Sequence, residues 1–235
     1  MQGELFDFGL EGRIIEVRDR LKAAFGDLAY STRRSPMGAL VKSIISNRTR
    51  DEVSLRAYDN LVRLYPDWRD MAAAPVEAIE AAIADVTYSE AKAPNVLATL
   101  NHIGRLHPDF DLGFLSDWPV SQVVDWLQTL PGVGPKVAAA TVNFSTLGQA
   151  AFVMDTHILR VFGRLDLLPA GKGAIAAYDL VMSALQTWTA EALCELHVLV
   201  KHLGQTKCHA GFTECPACPL ANLCPKIKAA RGGRP

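Results

Sequence analysis

The sequence has almost no net charge. Its 235 residues carry 24 Lys and Arg against 25 Asp and Glu, which leaves −1 at neutral pH. Taken in bulk, that balance disfavours a nucleic-acid partner. Also missing is a basic n-region followed by an apolar run near the start, where the acids Glu4 and Asp7 stand instead. No targeting signal is read there, and a cytoplasmic, intracellular protein is expected. There is no repeat of solenoid length and no sustained apolar/polar alternation, so neither an array nor a β fold is expected. The longest charge-free run, 137–154, contains Thr141, Asn143, Ser145, Thr146, Gly148 and Gln149. It reads as a buried helix followed by a turn, and no membrane span or membrane partner is expected. What is abundant is apolar side chain, 49% of the residues, enough for a sizeable core.

The charges that cancel overall are segregated along the chain. Residues 31–50 carry Arg33, Arg34, Lys42, Arg48 and Arg50 with no acid, and residues 196–235 carry six basic groups against one acidic. Between them, residues 51–195 carry nine basic and eighteen acidic groups. Two basic zones therefore flank an acidic middle. Local solubility alone can produce such a pattern, and it points to a partner only if a motif ties it to one.

The apolar periodicity is helical. Ile14, Val17, Leu21 and Phe25 form one face that stops at Gly26, and Met37, Leu40, Val41, Ile44 and Ile45 form another after Pro36. Further helices are predicted over 53–64, 75–83, 94–103, 121–130 and 137–144, with proline at the first turn of several. The fold class is all-α, with helices of about 8 to 15 residues. Residues 225–235 read as a basic flexible tail.

Leu130-Pro131-Gly132-Val133-Gly134-Pro135-Lys136 joins two of these helices. Glycines two residues apart, followed by proline at a helix start, make a tight turn whose outward N–H groups can hold a phosphate without a basic side chain. A bare G-x-G is more often a simple connector, but the full string is much more specific. Four of the five cysteines, Cys208, Cys215, Cys218 and Cys224, fall within 17 residues, while Cys194 stands apart. In an intracellular chain this clustering favours shared metal ligation over disulfides, and the spacing alone allows either tetrahedral zinc or an iron-sulfur cluster. Cys194, beside Leu193 and Leu196, reads as a small buried apolar residue.

Three stretches together carry a resemblance: Leu130 to Ala138, then Val153-Met154-Asp155-Thr156-His157-Ile158-Leu159-Arg160-Val161, then C-x6-C-x2-C-x5-C from Cys208 to Cys224. In order and spacing they resemble endonuclease III, of the helix-hairpin-helix DNA glycosylase superfamily, over roughly residues 12–224. The resemblance implies a six-helix barrel with the helix-hairpin-helix motif over 29–149. It implies a second helical domain from 1–28 and 150–224 carrying an iron-sulfur cluster loop, with a DNA cleft between the two. It also selects a 4Fe-4S cluster on the four cysteines over zinc. Lys136 matches the catalytic lysine, whose neutral amine would attack the sugar C1′ and leave a Schiff base, and β-elimination would then nick the strand. Asp155 matches the catalytic aspartate, which would stabilise developing positive charge and assist deprotonation of the amine, although Asp before Thr-His-Ile is also a good helix N-cap. His157 reads as structural. Gly132, Val133 and Gly134 would bind phosphate through the backbone, with Lys207 a candidate phosphate contact.

The implied activity is that of a bifunctional DNA glycosylase and AP lyase of base excision repair. It would act as a monomer on oxidised pyrimidines or abasic sites in double-stranded DNA. Two departures bear on lesion preference. In Ser46-Asn47-Arg48-Thr49-Arg50-Asp51, Arg48 stands where the family commonly has Gln, and can either fill the gap left by a flipped base or bind phosphate. The loop Val86 to Ala93 lacks the usual Gly and leaves its inserting residue unassigned. A paralogue with altered or weak specificity therefore stands as the second reading. A non-catalytic helix-hairpin-helix DNA-binding protein is the third, and Lys136 with Asp155 argues against it.

Overall fold

A computed structural model describes residues 2–28, 33–169, 171, 173–211 and 213–227, with side chains from residue 9 onward. The last eight residues of the expected basic tail, including Lys228, Arg231 and Arg234, lie outside the described residues. The chain divides into two compact units, Met1–Ser31 with Ala150–Pro235, and Thr32–Gln149. Among the described residues the secondary structure is helical, and the only β pairing is the two isolated bridges Arg34–Ser145 and Cys208–Thr213. None of these helices is long and apolar enough to cross a membrane.

The chain enters through α1 (Gln2–Phe25), which ends at Gly26 with φ +71. The next unit contains α2 (Pro36–Ser46), α3 (Asp51–Leu64), α4 (Trp68–Ala73), α5 (Val76–Ala82), α6 (Ser89–Leu106), α7 (Val120–Gln128) and α8 (Pro135–Phe144). The chain then continues into α9 (Thr156–Arg164), α10 (Ala174–Ala184) and α11 (Ala190–Thr206). Helix lengths thus run from 6 to 24 residues, a wider spread than the periodicity predicts.

Start signals written in the sequence account for several of these helices. Ser35 caps α2 by accepting from the Gly38 N–H at 3.2 Å, and Pro36 occupies the first turn, where its missing N–H costs nothing. Asp67 caps α4 and Thr189 caps α11 in the same way. The largest departure from expectation is α6. The predicted helix opens at Pro94, whereas the observed one opens at Ser89, directly after Tyr88 in the left-handed region (φ 60). Pro94 therefore lies inside the helix, where it removes one main-chain bond. The burial of Lys92, Ala93, Val96, Leu100 and Ile103 along one face carries the helix through it.

In the Met1–Ser31/Ala150–Pro235 unit, the α1 face Ile14, Val17 and Leu21 is buried with Phe152, Ile158 and Phe162. The rings of Phe152 and Phe162 stack at 6.0 Å. Gly204 on α11 lies so close to α9 that a Cβ there would sit 2.9 Å from the His157 Cβ. In the Thr32–Gln149 unit, α2, which is buried along most of its length, packs on α8, α3 and α6.

The turn between α7 and α8 is held against α6. The Thr99 hydroxyl donates to the Pro131 carbonyl at 2.6 Å, and Gly132, at φ +72, leaves room for Asn95. A Cβ on Gly132 would stand 2.7 Å from the Asn95 Cβ, while one on Gly134 would meet nothing within 4 Å. Gly132→Ala combines a left-handed strain with a steric clash and is expected to lower stability by about 1–3 kcal/mol, whereas Gly134→Ala should fall near wild type. Paired urea melts check this, and equal midpoints for the two variants would contradict it.

Candidate functional site

The hairpin brings Lys136 into the first turn of α8. No side chain caps this helix and no acid stands in its first turn, so its N-terminal N–H groups and dipole are directed at whatever lies beyond Gly134. Val133 is buried and anchors the turn, Gly132 and Gly134 are exposed, and Lys136 is half-buried. This is the geometry of an anion-accepting turn with an amine beside it.

The second candidate loop leaves the C-terminal end of α2. Asn47 and Arg48 are exposed, and Arg48 adopts a left-handed conformation (φ 55). What fixes this loop is a residue that motif reasoning passes over. Lys92, on the buried face of α6 and 7% exposed, directs its ammonium Nζ to the Ile45 carbonyl at 2.9 Å, the Asn47 carbonyl at 2.6 Å and the Thr49 hydroxyl at 2.9 Å. The first two bonds satisfy carbonyls that the end of α2 leaves without helical partners. Burial and the positive charge of Lys136 pull Lys92 down to about 8, against a smaller opposing pull from Glu90. The signal was present in the sequence, since Lys92 stands four residues before Val96 on the stripe that continues through Leu100 and Ile103.

Asp155 is the N-cap of α9. Its Oδ1 accepts from the His157 N–H at 2.8 Å and the Ile158 N–H at 2.9 Å, so the cap engages one of the two carboxylate oxygens. His157 Nδ1 lies 3.0 Å from the Arg160 guanidinium, a packing role of the expected kind.

The cysteine segment follows α11. Cys208 pairs with Thr213 in an isolated antiparallel bridge, Cys215 opens a 3-10 turn, and Cys208, Cys218 and Cys224 pack against the core of their unit beside Leu220. Two arginines of α9 hold the start of this segment. Arg160 donates to the Cys208 carbonyl at 2.9 Å, and Arg164 donates to the His209 carbonyl at 2.7 Å and to Cys208 Sγ at 3.0 Å. Three of the sulfurs stand within electrostatic reach of the fourth, that of Cys218. Cys208, Cys224 and Cys215 each push the Cys218 thiol up, in addition to the larger effect of burial. Among the described residues, however, no three His, Cys, Asp or Glu groups are drawn closely enough together to hold a single metal ion. One tetrahedral zinc would need sulfurs about 3.8 Å apart, from Zn–S bonds of ~2.3 Å, and a cluster of several irons spreads them wider. The four cysteines are half-buried thiols of one short segment. Lys207, the candidate phosphate contact, lies 3.5 Å from the Glu214 carboxylate at the base of this segment. That exposed pair is weak enough to open for another anion.

Residues 41–191 match the family model HhH-GPD, the HhH-GPD superfamily base excision DNA repair proteins. The chain belongs to this superfamily, and within it the likeness is to endonuclease III. The Endonuclease III of Synechocystis sp. is 28% identical over 197 residues, which is 83% of this chain and 84% of that one. Protein ROS1C of Oryza sativa subsp. japonica is 27% identical over 173 residues, 67% of this chain but only 9% of its own length. The chain thus spans a small part of some relatives and most of others. Among solved structures, a trapped endonuclease III–DNA covalent intermediate superposes with a TM-score of 0.78 at 24% identity, covering 94% of this chain and 98% of that one. A thermostable thymine-DNA glycosylase superposes with a TM-score of 0.73 at 17% identity, covering 94% and 97%. The all-α fold is that of this superfamily.

The depressed Lys92 has a pH consequence. Between about 8 and its ordinary 10.5, the unfolded chain keeps the Lys92 proton while the folded chain has released it. The wild-type chain therefore gains stability relative to Lys92→Met as pH rises through that window, by up to about 1.4 kcal/mol per pH unit. Urea melts of both proteins at pH 7, 8, 9 and 10 measure it, and a gap that stays constant or narrows would contradict the assignment.

Proposed function

We propose that the protein is a bifunctional DNA glycosylase and AP lyase of base excision repair, acting on oxidised pyrimidines or abasic sites in double-stranded DNA. The observation that supports it most is the half-buried Lys136 in the first turn of an uncapped helix, directly after an anion-accepting glycine turn. A phosphate held by the Gly132–Gly134 backbone would fix the sugar near the Lys136 amine. The uncapped start of α8 and the neighbouring Lys92 both place positive charge beside Lys136.

In this reading the Lys136 Nζ lone pair attacks C1′ and the base departs with the glycosidic electron pair, taking up a proton. Ring opening leaves an iminium between Nζ and C1′. Loss of a C2′ proton then breaks the C3′–O bond, releasing the 3′ phosphate, and hydrolysis of the iminium frees the lysine. Asp155, with one oxygen committed to its cap, offers the other to the positive charge at C1′ and to the amine proton. Asn47, Arg48 and Lys207 contact the DNA, with Arg48 filling the gap left by an extruded base or binding phosphate. Cys208, Cys215, Cys218 and Cys224 hold a 4Fe-4S cluster, whose contribution is to stiffen the segment that carries Lys207.

Borohydride trapping on abasic-site duplex should give a covalent adduct that Lys136→Ala abolishes. Lack of any adduct with folded wild-type protein overturns the lyase reading, and lack of base release as well would leave a DNA-binding module. Asn is as good an N-cap as Asp, so Asp155→Asn should melt with wild type while trapping ~10²–10⁴-fold more slowly. An unaltered rate would leave Asp155 a cap only. Anaerobically purified protein should contain iron and acid-labile sulfide, both lost in Cys218→Ser, and a colourless zinc protein would contradict the cluster.

A further inference from the structure

Lys92 forms no bond in the chemistry above, yet it is the buried cation around which two exposed loops are organised. Its three bonds run to the end of α2 and to the Thr49 hydroxyl, and the same Thr49 oxygen accepts the Thr87 N–H at 3.1 Å. The Asn47–Thr49 loop and the segment ending at Tyr88 are thereby joined through one hydroxyl that receives two donors. Each loop carries a non-glycine residue in the left-handed region next to the shared bond: Arg48 (φ 55) beside Thr49, and Tyr88 (φ 60) beside Thr87. Such conformations persist where surrounding structure over-determines them. Both side chains are exposed, Tyr88 at 53%, so a cation and an aromatic ring project from loops whose backbones are tied together.

We propose that Lys92 is a positioning residue for damaged DNA. Through Thr49 it locks the Asn47–Thr49 and Thr87–Tyr88 loops into a single platform that presents Arg48 and Tyr88 to the duplex. The inference rests on the reading of the protein as a DNA repair enzyme, but it concerns binding, which needs no turnover. A guanidinium and an aromatic ring held at fixed separation suit an unstacked base step and its phosphate, and the ordering energy is met before DNA arrives.

The test is fluorescence anisotropy of a duplex carrying an uncleavable tetrahydrofuran abasic analogue, beside the same duplex undamaged, in wild type, Thr49→Val, Thr49→Ser, Lys92→Met and the Lys92→Met/Thr49→Val double variant. Thr49 is only half-buried, whereas Lys92 is buried, so its variants keep the test alive if Lys92→Met folds poorly. Thr49→Val should lose about tenfold in affinity for the analogue duplex and little for the undamaged one, with Thr49→Ser restoring wild-type binding. Lys92→Met should lose a similar amount, and the double variant should be no worse than either single one. Thr49→Val binding like wild type, or losses that multiply in the double variant, would overturn the proposal. Failure of the enzyme reading would be seen separately, as intact analogue binding without base release or any borohydride adduct.

Discussion

The close approach of the Leu130–Lys136 turn to α6 is the constraint on which the rest of the Thr32–Gln149 unit depends. It is possible because Gly132 has no side chain at the point where Asn95 would collide with one, and because the Thr99 hydroxyl meets the carbonyl of Pro131. One helix then sets two pieces of apparatus. Its middle fixes the anion-accepting turn and hence the start of α8, while one turn earlier Lys92 fixes the loop after α2. A single rigid element thus determines where the Lys136 amine and the Asn47–Thr49 backbone stand, and neither relies on its own loop for order.

The near-zero net charge acquires a different meaning once the basic residues are sorted by what they touch. Lys92, Arg160 and Arg164, from the acidic middle of the sequence, are turned onto backbone carbonyls and a cysteine sulfur, where they hold loops in place. Asn47 and Arg48, from the first basic zone, stand exposed on a loop. The hairpin adds attraction for anions through N–H groups that formal charge does not count. Bulk charge is accordingly a poor guide to partners for a fold whose main-chain N–H groups can accept an anion.

How much of this was legible follows from the kind of signal each part leaves. The all-α class was readable because apolar positions recur at helical spacing from Ile14 onward, and the hairpin because only glycine suits a left-handed residue pressed against another helix. The capping role of Asp155 was readable as an alternative, since its neighbours Thr156, His157 and Ile158 place N–H groups within reach of one oxygen. The true start of α6 was not, because a proline that ordinarily marks a first turn sits in the sixth position, and buried contacts carry the helix past it. Lys92 was also passed over. A lysine in an otherwise apolar stripe looks like a surface residue until the carbonyls of a distant helix end are brought to it, and that is a fact of tertiary structure.

Two amines, Lys92 and Lys136, stand within electrostatic reach of each other, and only one is expected to react. Lys92 is pulled down to about 8, which would by itself make it a nucleophile, but its Nζ is engaged by two carbonyls and a hydroxyl. Lys136, at the mouth of the anion-accepting turn, is the one assigned to react. Digestion of the borohydride-reduced wild-type adduct, followed by mass spectrometry of the modified peptide, decides between them. The sugar remnant is expected on Lys136 alone, and a remnant on Lys92 would overturn the assignment.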